Sequence, residues 1–580
     1  MGKTQLQIKK SSKTYDVVVV GSGAGGGMAG YTLAKAGLKV LMLEAGPFYD
    51  PAKESLQLKW PYESARRGAN TTRPFGDFDA AYGGWEIEGE PYTHLNNTSF
   101  DWFRSRMLGG RTNHWGRISL RFSAKDFKPD DGISDAWPIT YDEVKPFYDK
   151  VDRMIGVYGT KEGIESEPDG IFLPPPKPRL NELFIKKAAA SVGVPVIPGR
   201  GSVLTEALPD NKDRYACFYC GQCGRSCKVY ADFSASSALV IPAIKTGNLE
   251  VVSNAMVRAV VTDANGQAKG VSYIDRNDMQ EYEVNGKIVI LAASTCESAR
   301  IMLNSKSDRY PNGLGNASGL LGHYLHDSTG LGFGGFLPQL TDRKRYNEDG
   351  VGSLHIYGPW WGDNKKLGFP RGYHIEFGGG LRMPFYGFGR SVPAINGMVP
   401  GRDGKMKEAG GYGAALKDDY RRFYGTEVGM AGRGVAIAFK ENYCEIDPSV
   451  VDKYGIPVLR FHYKWSDHEI KQAKHMQETF ASIMHAMGAM VLSGPAGPEV
   501  NYGLDAPGRI IHEVGTARMG DDPKKSVLNK WSQSHECKNL FVTDGSSFVQ
   551  QGDKNPTWTI LALSMRTAEY ILEQKSKLNV

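Results

Sequence analysis

The sequence predicts an α/β fold that contains more than one packed unit, and three observations support this prediction. The chain has 580 residues, which is more than a single hydrophobic core usually accommodates. Residues 15–44 have the pattern of a strand, a glycine-rich turn, a helix and a second strand. Residues 248–292 alternate apolar runs around an Asn265-Gly266 turn, which predicts a β-meander whose last run, residues 288–292, returns to the main sheet.

The composition excludes several classes of protein. Hydrophobic residues make up 41% of the chain and charged residues 23%, and the net charge of +6 is spread without a dense basic block, so nothing indicates nucleic-acid binding. Apolar stretches of about 18 residues are absent, so we expect no direct membrane span. Residues 1–15 are polar and lack the apolar core of a secretion signal. We expect a cytoplasmic protein, or a periplasmic one if a signal-bearing partner escorts it.

The N-terminal strand–turn–helix has the glycine spacing of a dinucleotide-binding unit. Gly21 permits the tight turn, Gly23 lets backbone N–H groups approach a pyrophosphate, and Gly26 permits close packing of the helix on the strand. Glu44 ends the second apolar run, where a carboxylate can accept hydrogen bonds from ribose hydroxyls. The unit predicts binding of FAD or NAD, and by itself it does not distinguish them.

Four of the seven cysteines lie in one short segment, CFYCGQCGRSC at residues 217–227. The spacing of Cys217, Cys220, Cys223 and Cys227 matches a bacterial ferredoxin motif, except that lysine follows the fourth cysteine where proline is usual. This favours an iron–sulfur cluster, either 4Fe–4S held by all four thiolates or 3Fe–4S held by three. Cys296, Cys444 and Cys537 are candidate ligands outside the segment.

Zinc and disulfides are the alternatives for this segment. Four ligands from so short a run wrap around a small tetrahedral ion with more difficulty than around an iron–sulfur cubane. Disulfides would require an oxidising compartment. Arg214, Arg225 and Lys228 are placed to offset the negative charge of a cluster.

Three blocks near the C-terminus carry a family resemblance: HEVGTARMG at 512–520, NLFVTDGS at 539–546 and NPTWTIL at 555–561. Together with the glycine motif they resemble the glucose–methanol–choline (GMC) oxidoreductases, which are flavoproteins that oxidise alcohols. Within that family the sequence is most similar to iron–sulfur-bearing glucoside 3-dehydrogenase and FAD-dependent glucose dehydrogenase catalytic subunits, and to pyranose oxidase. The resemblance implies a Rossmann-like FAD-binding domain with a second, antiparallel-sheet substrate domain.

The resemblance implies that His512 is the catalytic base and that Asn555 is its partner. A neutral imidazole can remove the hydroxyl proton of an alcohol while the C–H hydrogen leaves as hydride to flavin N5, and an amide can orient the hydroxyl. Pro556 suits the first turn of the apolar-striped helix that follows. The positive end of that helix would stabilise charge on the reduced flavin.

The remaining cofactor-binding residues are also implied by the resemblance. They surround the flavin and its ribityl and pyrophosphate groups: Arg106, Gly109, Gly110, Asn113, His114, Val257, Asp544, Gly545, Pro556 and Thr557. The block GGRTNHW is similar to the pyranose oxidase sequence whose histidine is covalently attached to FAD, and that histidine corresponds to His114. Covalent and non-covalent FAD both remain open. Gly116 stands where a pyranose oxidase has a threonine, which removes any role of that side chain in handling oxygen.

We predict five segments along the chain. Residues 1–135, 230–328 and 501–580 form the FAD-binding domain, residues 136–229 form a covering segment with the cysteines, and residues 329–500 form the substrate domain.

The expected function is oxidation of a sugar or glycoside hydroxyl by an FAD-dependent dehydrogenase, with C3 oxidation favoured. Aromatic residues in HIYGPWWGD (355–363) and RMPFYGFGR (382–390) suit the apolar face of a pyranose ring. Electrons would leave through the cluster to a small subunit or a cytochrome-type acceptor. An anomeric glucose or gluconate-type dehydrogenase is the alternative. Other possibilities are a flavin and iron–sulfur electron-transfer subunit, and an oxidase with a zinc-stabilised loop.

Overall fold

The computed structural model describes residues 9–60, 63, 82–344, 350–359, 367–380, 398–410 and 412–576. The strands are β1 Lys9–Val20, β2 Val40–Leu43, β3 Gly83–Gly84, β4 Thr93–His94, β5 Arg104–Ser105, β6 Val157–Tyr158, β7 Phe172–Leu173, β8 Ile197–Pro198, β9 Leu249–Val252, β10 Ala255–Thr262, β11 Ala268–Asp275, β12 Glu281–Leu291, β13 Thr329–Phe336, β14 Ile356–Gly358, β15 Tyr373–Gly379, β16 Met398–Pro400, β17 Met406–Glu408, β18 Glu427–Gly434, β19 Tyr443–Val451, β20 Pro457–His462, β21 Met490–Ser493 and β22 Leu540–Val542.

The α-helices are α1 Ala24–Lys35, α2 Pro51–Glu54, α3 Ala124–Phe127, α4 Tyr141–Ile155, α5 Leu180–Ser191, α6 Ile241–Lys245, α7 Thr295–Asn304, α8 Gly413–Phe423, α9 Asp467–Met487 and α10 Thr557–Ser576. Within the described ranges, none of these helices has the length and apolar character needed to cross a bilayer.

The main sheet has seven strands in the order β10-β11-β12-β1-β2-β9, with β22 pairing to β12. β1 lies between β12 and β2 and is parallel to both. Val17, Val18 and Val19 are fully buried, as expected of a strand that is covered on both faces. β10, β11 and β12 are successive antiparallel strands, so the predicted meander forms and joins this sheet through β12.

β1 begins six residues earlier than the valine-rich run suggests. Lys9 and Lys10 pair with β12, and the register shifts before pairing resumes at Thr14. An irregularity of this kind lets a polar segment extend a strand beyond its hydrophobic part. Periodicity could not indicate it, because residues 9–14 have no apolar alternation.

The second sheet has six strands in the order β21-β13-β18-β15-β14-β8, and every pairing in it is antiparallel. Helix α9 covers it with an apolar stripe that includes Met476 and Phe480, which share a buried cluster with Phe333 and Met430. The predicted α/β fold with a second antiparallel sheet is therefore confirmed. The segment boundaries stay predictions, and the aromatic residues at 360–363 and 382–390 lie outside the described residues.

Candidate active site

A cavity of about 420 Å³ lies where the C-terminal ends of β1 and β2 meet the second sheet. Thirteen of the predicted site residues line it: Gly21, Gly23, Glu44, Arg106, Gly110, His114, Val257, His512, Asp544, Gly545, Asn555, Pro556 and Thr557. Gly26, Gly109 and Asn113 lie behind this surface and shape it. The four clustered cysteines do not line it.

The glycine turn forms the dinucleotide end of the cavity. Gly21 has φ +94°, and a Cβ there would lie 2.3 Å from the Ala292 carbonyl oxygen. A Cβ on Gly26 would lie 1.9 Å from the Gly21 oxygen, so the helix packs too closely on the turn for any side chain. A Cβ on Gly23, in contrast, would have no neighbour within 4 Å. Gly23 therefore leaves open space beside the first turn of α1, as a bound pyrophosphate requires.

Glu44 lies next to the turn on the cavity wall. Its carboxylate accepts hydrogen bonds from the backbone N–H of Gly46 at 2.8 Å and of Ser22 at 3.3 Å. Burial raises the pKa of Glu44 above its usual value. The position fits the expected ribose contact, because a carboxylate there faces the same opening as Gly23.

Two helices begin at the cavity. The N-terminal residues of α1 and the residues Pro556 and Thr557 that begin α10 all line it. Each N-terminus carries unpaired N–H groups and a partial positive charge, so both favour an anionic ligand. Asp544 also lines the cavity, where it caps the short helix Gly545–Ser547 by accepting from the Ser546 N–H at 3.0 Å. These features fit FAD.

The paired glycines at 109 and 110 hold a loop over the glycine turn. Both have positive φ, +86° and +53°, and a Cβ on Gly110 would lie 3.7 Å from the Gly23 Cα. The Asn113 side chain fixes the loop by donating to the carbonyls of Leu108 at 2.8 Å and Gly110 at 3.1 Å. Asn113 therefore supports the cavity wall from behind.

His114 lies in the wall just beyond that loop. Its ring is buried, with Nε2 at 3.1 Å from Ser105 Oγ and a T-shaped contact with the ring of Phe103. Burial, together with Arg117 and Arg111, lowers the pKa of His114 to about 3, so the imidazole is neutral. Its place in the cavity is compatible with a flavin contact, and the covalent bond stays a prediction.

Arg106 acts as a buried junction in the wall. It forms ion pairs of 2.9 Å with both Glu90 and Glu297. Burial alone would lower the pKa of Arg106, but Glu297 and Glu90 more than compensate and raise it. The guanidinium is therefore held by carboxylates from two other segments, which makes it a structural link as well as part of the cavity surface.

The reaction end of the cavity contains His512 and Asn555. Asn555 Nδ2 lies 3.2 Å from His512 Nε2, and Ser328 Oγ lies 3.0 Å from His512 Nδ1. Because an amide N–H donates, Nε2 must be the unprotonated nitrogen, and Nδ1–H then donates to Ser328. Asn555 Oδ1 is buried and makes no hydrogen bond with the described residues. The acceptor nitrogen His512 Nε2 and the donor nitrogen Asn555 Nδ2 therefore lie side by side at the cavity.

Burial lowers the pKa of His512, and Arg433 lowers it further, whereas Glu376 raises it; the result is about 3. The imidazole is neutral at any physiological pH, which is the form that can accept a proton. The backbone N–H of His512 donates to Asp327 Oδ1 at 2.8 Å, so a buried carboxylate fixes the main chain on this side of the ring.

Several site residues were not predicted from the sequence. Arg111 pairs with Glu513 at 2.6 Å and so joins the glycine-pair loop to the segment that carries His512. Glu376 and Arg433 reach the cavity from the second sheet. One signal was available: in β15, YHIEFGG, the apolar residues Ile375 and Phe377 alternate with His374 and Glu376, which places the two polar side chains together on one face of the strand.

The cysteine segment packs directly behind the glycine-pair loop. Ser226 Oγ donates to the Asn113 carbonyl at 3.0 Å, and Gln57 Nε2 donates to Cys220 Sγ at 2.9 Å. Cys220, Cys223 and Cys227 are buried, and Cys217 is half-buried. Burial raises the pKa of Cys217 to about 12 and of Cys227 to about 11, so both are protonated thiols unless a metal displaces the proton.

None of the seven cysteines forms a disulfide. Across the described parts of the chain, no three His, Cys, Asp or Glu side chains are grouped as ligands of a metal ion. Two of the three cationic side chains near the segment donate to backbone carbonyls: Arg225 Nη1 to Lys59 at 2.9 Å, and Arg214 Nε to Tyr230 at 3.0 Å.

Fold and cavity together define a dinucleotide-binding oxidoreductase with a histidine–asparagine pair at its reaction end. The N-terminal family model of the GMC oxidoreductases matches residues 15–329, which is more than half of the chain, and the C-terminal model matches residues 439–564. The chain belongs to the GMC oxidoreductase family and is an enzyme. This family generally binds FAD, in agreement with the cavity.

Three relatives of known activity align along nearly the whole chain. A 2-methyl-1,2-propanediol dehydrogenase of Mycolicibacterium austroafricanum is 27% identical over 97% of this chain and 96% of its own length. A gluconate 2-dehydrogenase flavoprotein of Pantoea cypripedii is 26% identical over 99% of this chain and 96% of its own length. A fructose dehydrogenase large subunit of Gluconobacter japonicus is 25% identical over 96% of this chain and 97% of its own length.

Proposed function

We propose that this protein is an FAD-dependent dehydrogenase that oxidises a hydroxyl group of a sugar or glycoside, with the C3 hydroxyl of the ring favoured. One observation carries the proposal: the His512–Asn555 pair faces the same cavity as the dinucleotide turn. A base for the hydroxyl proton and a site for the hydride acceptor are therefore parts of one cavity.

The chain's own residues divide the binding of FAD between them. The turn at Gly21–Gly23 and the start of α1 would bind the pyrophosphate, and Glu44 would bind the ribose. The start of α10 would stabilise the negative charge of the reduced flavin. When bound, FAD accepts the hydride from the alcohol carbon. The structure contributes the remainder, which is positioning and proton transfer.

His512 and Asn555 are arranged to hold one hydroxyl group between them. When an alcohol enters, its O–H donates to His512 Nε2 and its oxygen accepts from Asn555 Nδ2, the atom that now contacts the imidazole at 3.2 Å. The imidazole then takes the hydroxyl proton, and Ser328 and Asp327 keep the ring and its backbone in place.

Polyhydroxylated substrates are supported by the relatives, whose names refer to a diol, gluconate and fructose. The preference for C3 rests on the resemblance to glucoside 3-dehydrogenases. A gluconate-type or anomeric glucose dehydrogenase is the second candidate, and the gluconate 2-dehydrogenase relative favours it.

The route of the electrons is part of the proposal. The thiols of Cys217, Cys220, Cys223 and Cys227, packed behind the glycine-pair loop, would hold an iron–sulfur cluster. Such a cluster would supply one-electron transfer toward a small subunit or a cytochrome-type acceptor. A relative named as a large subunit supports the need for a partner chain. The protein would act in the cytoplasm, or in the periplasm if that partner carries an export signal.

An anaerobic absorption spectrum with iron, sulfide and zinc analysis tests the proposal. We expect a flavin spectrum that bleaches when a glycoside is added, together with iron and sulfide in the same sample. Bleaching by a redox protein but by no sugar would identify an electron-transfer subunit instead. Peroxide formation with zinc and no iron would identify an oxidase.

The catalytic assignment is tested with His512→Ala. Loss of general base catalysis should slow flavin reduction by about 10²- to 10⁴-fold. His485→Ala, an exposed histidine in α9, is the control and should leave the rate unchanged.

A further inference from the structure

The second sheet presents one ion pair to the cavity. In β15 and β18, His374 lies opposite Arg433, and Glu376 is two residues further along, so Glu376 and Arg433 share one face as diagonal neighbours. Arg433 Nη2 lies 3.4 Å from Glu376 Oε2. Among the described residues of this sheet, these two line the cavity and the others do not.

The two side chains are charged and retain room for a ligand. Burial would raise the pKa of Glu376, but Arg433, His374 and His512 outweigh it and lower the pKa to about 2. The contacts of Glu376 Oε1 are long, 3.3 Å to His374 Nε2 and 3.4 Å to Asn555 Nδ2. A carboxylate has about four acceptor positions, so Glu376 can accept a shorter hydrogen bond from a substrate hydroxyl.

We propose that Glu376 and Arg433 are specificity-determining residues that bind two adjacent hydroxyl groups of an uncharged polyol next to the hydroxyl held by His512 and Asn555. Glu376 accepts a hydrogen bond from the nearer hydroxyl, and Arg433 donates one to the next. The contact between Glu376 and Asn555 places this subsite beside the reacting hydroxyl. This inference rests on the proposed function and adds the chemical class of the substrate.

Charge explains why an uncharged substrate fits best. A carboxylate substrate would be attracted by Arg433 but repelled by Glu376, and a cationic alcohol would meet the reverse situation. A neutral vicinal diol satisfies both side chains, because one hydroxyl donates and its neighbour accepts. The ion pair therefore favours a sugar or glycoside over gluconate or a quaternary ammonium alcohol.

The test uses Glu376→Gln, which keeps the side-chain volume and removes the charge. The probes are methyl β-glucoside and its 2-, 3-, 4- and 6-deoxy analogues, with kcat/KM measured from anaerobic flavin reduction. In the wild-type enzyme, the analogue that lacks the Glu376-bound hydroxyl should lose about 10- to 100-fold, the usual range for a hydrogen bond to a charged group. In Glu376→Gln that loss should shrink to about threefold or less, while the losses for the other analogues stay unchanged.

Two further readouts separate substrate recognition from a structural defect. Glu376→Gln should raise the preference for gluconate relative to methyl glucoside about tenfold, and Arg433→Gln should lower it by a similar factor. The pH profile of kcat/KM should not move, because removing Glu376 only keeps His512 neutral. Glu427→Gln, on the exposed end of β18, is the matched control and should resemble the wild type.

An equal loss by Glu376→Gln on every analogue would overturn the inference. If no glycoside reduces the wild-type flavin, the proposed function fails by itself. Calorimetry with methyl β-glucoside, which retains every hydroxyl, then decides the subsite, because equal affinity in the wild type and in Glu376→Gln would overturn it.

Discussion

Ser328 Oγ lies 3.0 Å from His512 Nδ1 and also accepts a hydrogen bond of 2.8 Å from Gln551 Nε2. Because Asn555 Nδ2–H donates to Nε2, the neutral ring carries its proton on Nδ1, and the serine oxygen, which has two lone pairs, accepts from both Gln551 Nε2–H and Nδ1–H. The proton of the neutral imidazole is thereby kept on the nitrogen away from Asn555, and the lone pair of Nε2 remains on the side of the substrate.

Replacing Ser328 with alanine should lower kcat by about fivefold, since the hydrogen bond that fixes the tautomer is worth roughly 1 kcal/mol. KM should change little, because no proposed substrate contact involves Ser328. Steady-state kinetics with a glycoside measure both constants. Ser482→Ala, at an exposed position of α9, is the control. A rise in KM with kcat unchanged would contradict this role of Ser328.

The rate of the reaction should not fall on acidification through the usual pKa range of a histidine. The pKa of His512 is lowered to about 3, by burial first and then by Arg433, so the base is already neutral between about pH 5 and pH 8. Asp327, which accepts from the His512 backbone N–H, has a pKa of about 7, so the test uses Asp327→Asn. In that variant we expect a flat kcat/KM across the range when flavin reduction is followed by stopped flow. A drop on acidification with a midpoint near pH 6.5 would show that the imidazole titrates normally.

Much of the dinucleotide end could be predicted from the sequence, because its chemistry is local. Gly21, Gly23 and Gly26 are fixed by one turn and one helix, and their roles follow from their spacing. The substrate end could not be predicted in this way. His512 and Glu376 are brought together only by packing of the second sheet on the first. The spacing of residues in the sequence does not predict such a contact. For the same reason, the roles of Ser328 and of the Arg111–Glu513 ion pair could not be predicted from the sequence.

Asp327 should make the stability of the fold depend on pH. Burial, with a contribution from Glu513, raises its pKa from 3.8 to about 7. A carboxyl whose folded-state pKa is raised contributes stability below the unfolded pKa, and that stability is lost as pH rises through the folded value. The wild type should therefore lose stability relative to Asp327→Asn between about pH 4 and pH 7, by at most roughly 4 kcal/mol. Urea unfolding at several pH values measures this, and parallel curves would contradict it.

The open space beside Gly23 predicts a selective defect in cofactor binding. Gly23 has φ −68°, so alanine fits the backbone, and its Cβ would meet no protein atom within 4 Å. The methyl group would instead occupy the volume assigned to the pyrophosphate. Gly23→Ala should fold normally and bind FAD at least about fivefold more weakly, as overpacking usually costs about 1 kcal/mol or more.

Gly332→Ala is the matched control for that variant, because a Cβ at Gly332 in β13 also meets no atom within 4 Å. FAD titration by flavin fluorescence and the Tm of the apoprotein are the two measurements. Equal FAD affinity in both variants would show that the pyrophosphate lies elsewhere.

The proposed iron–sulfur cluster is tested with Cys223→Ser. Cys223 is buried, and burial raises its pKa well above the usual value, with Asp232 adding to the effect. A thiol in that environment remains protonated unless a metal compensates the charge, so cluster binding and deprotonation are coupled at this residue. The variant should lose iron and labile sulfide and keep its FAD, since none of the clustered cysteines lines the FAD cavity.

Cys537→Ser is the control for this prediction, because Cys537 is equally buried but lies outside the segment. Iron, sulfide and flavin contents per chain, together with Tm, distinguish loss of the cluster from loss of the fold. Anaerobic reduction of the flavin by a glycoside should survive in Cys223→Ser, whereas transfer of electrons onward to a one-electron acceptor should fall sharply. Wild-type protein without iron, or full onward transfer in the variant, would exclude a cluster at these thiols as the exit route for electrons.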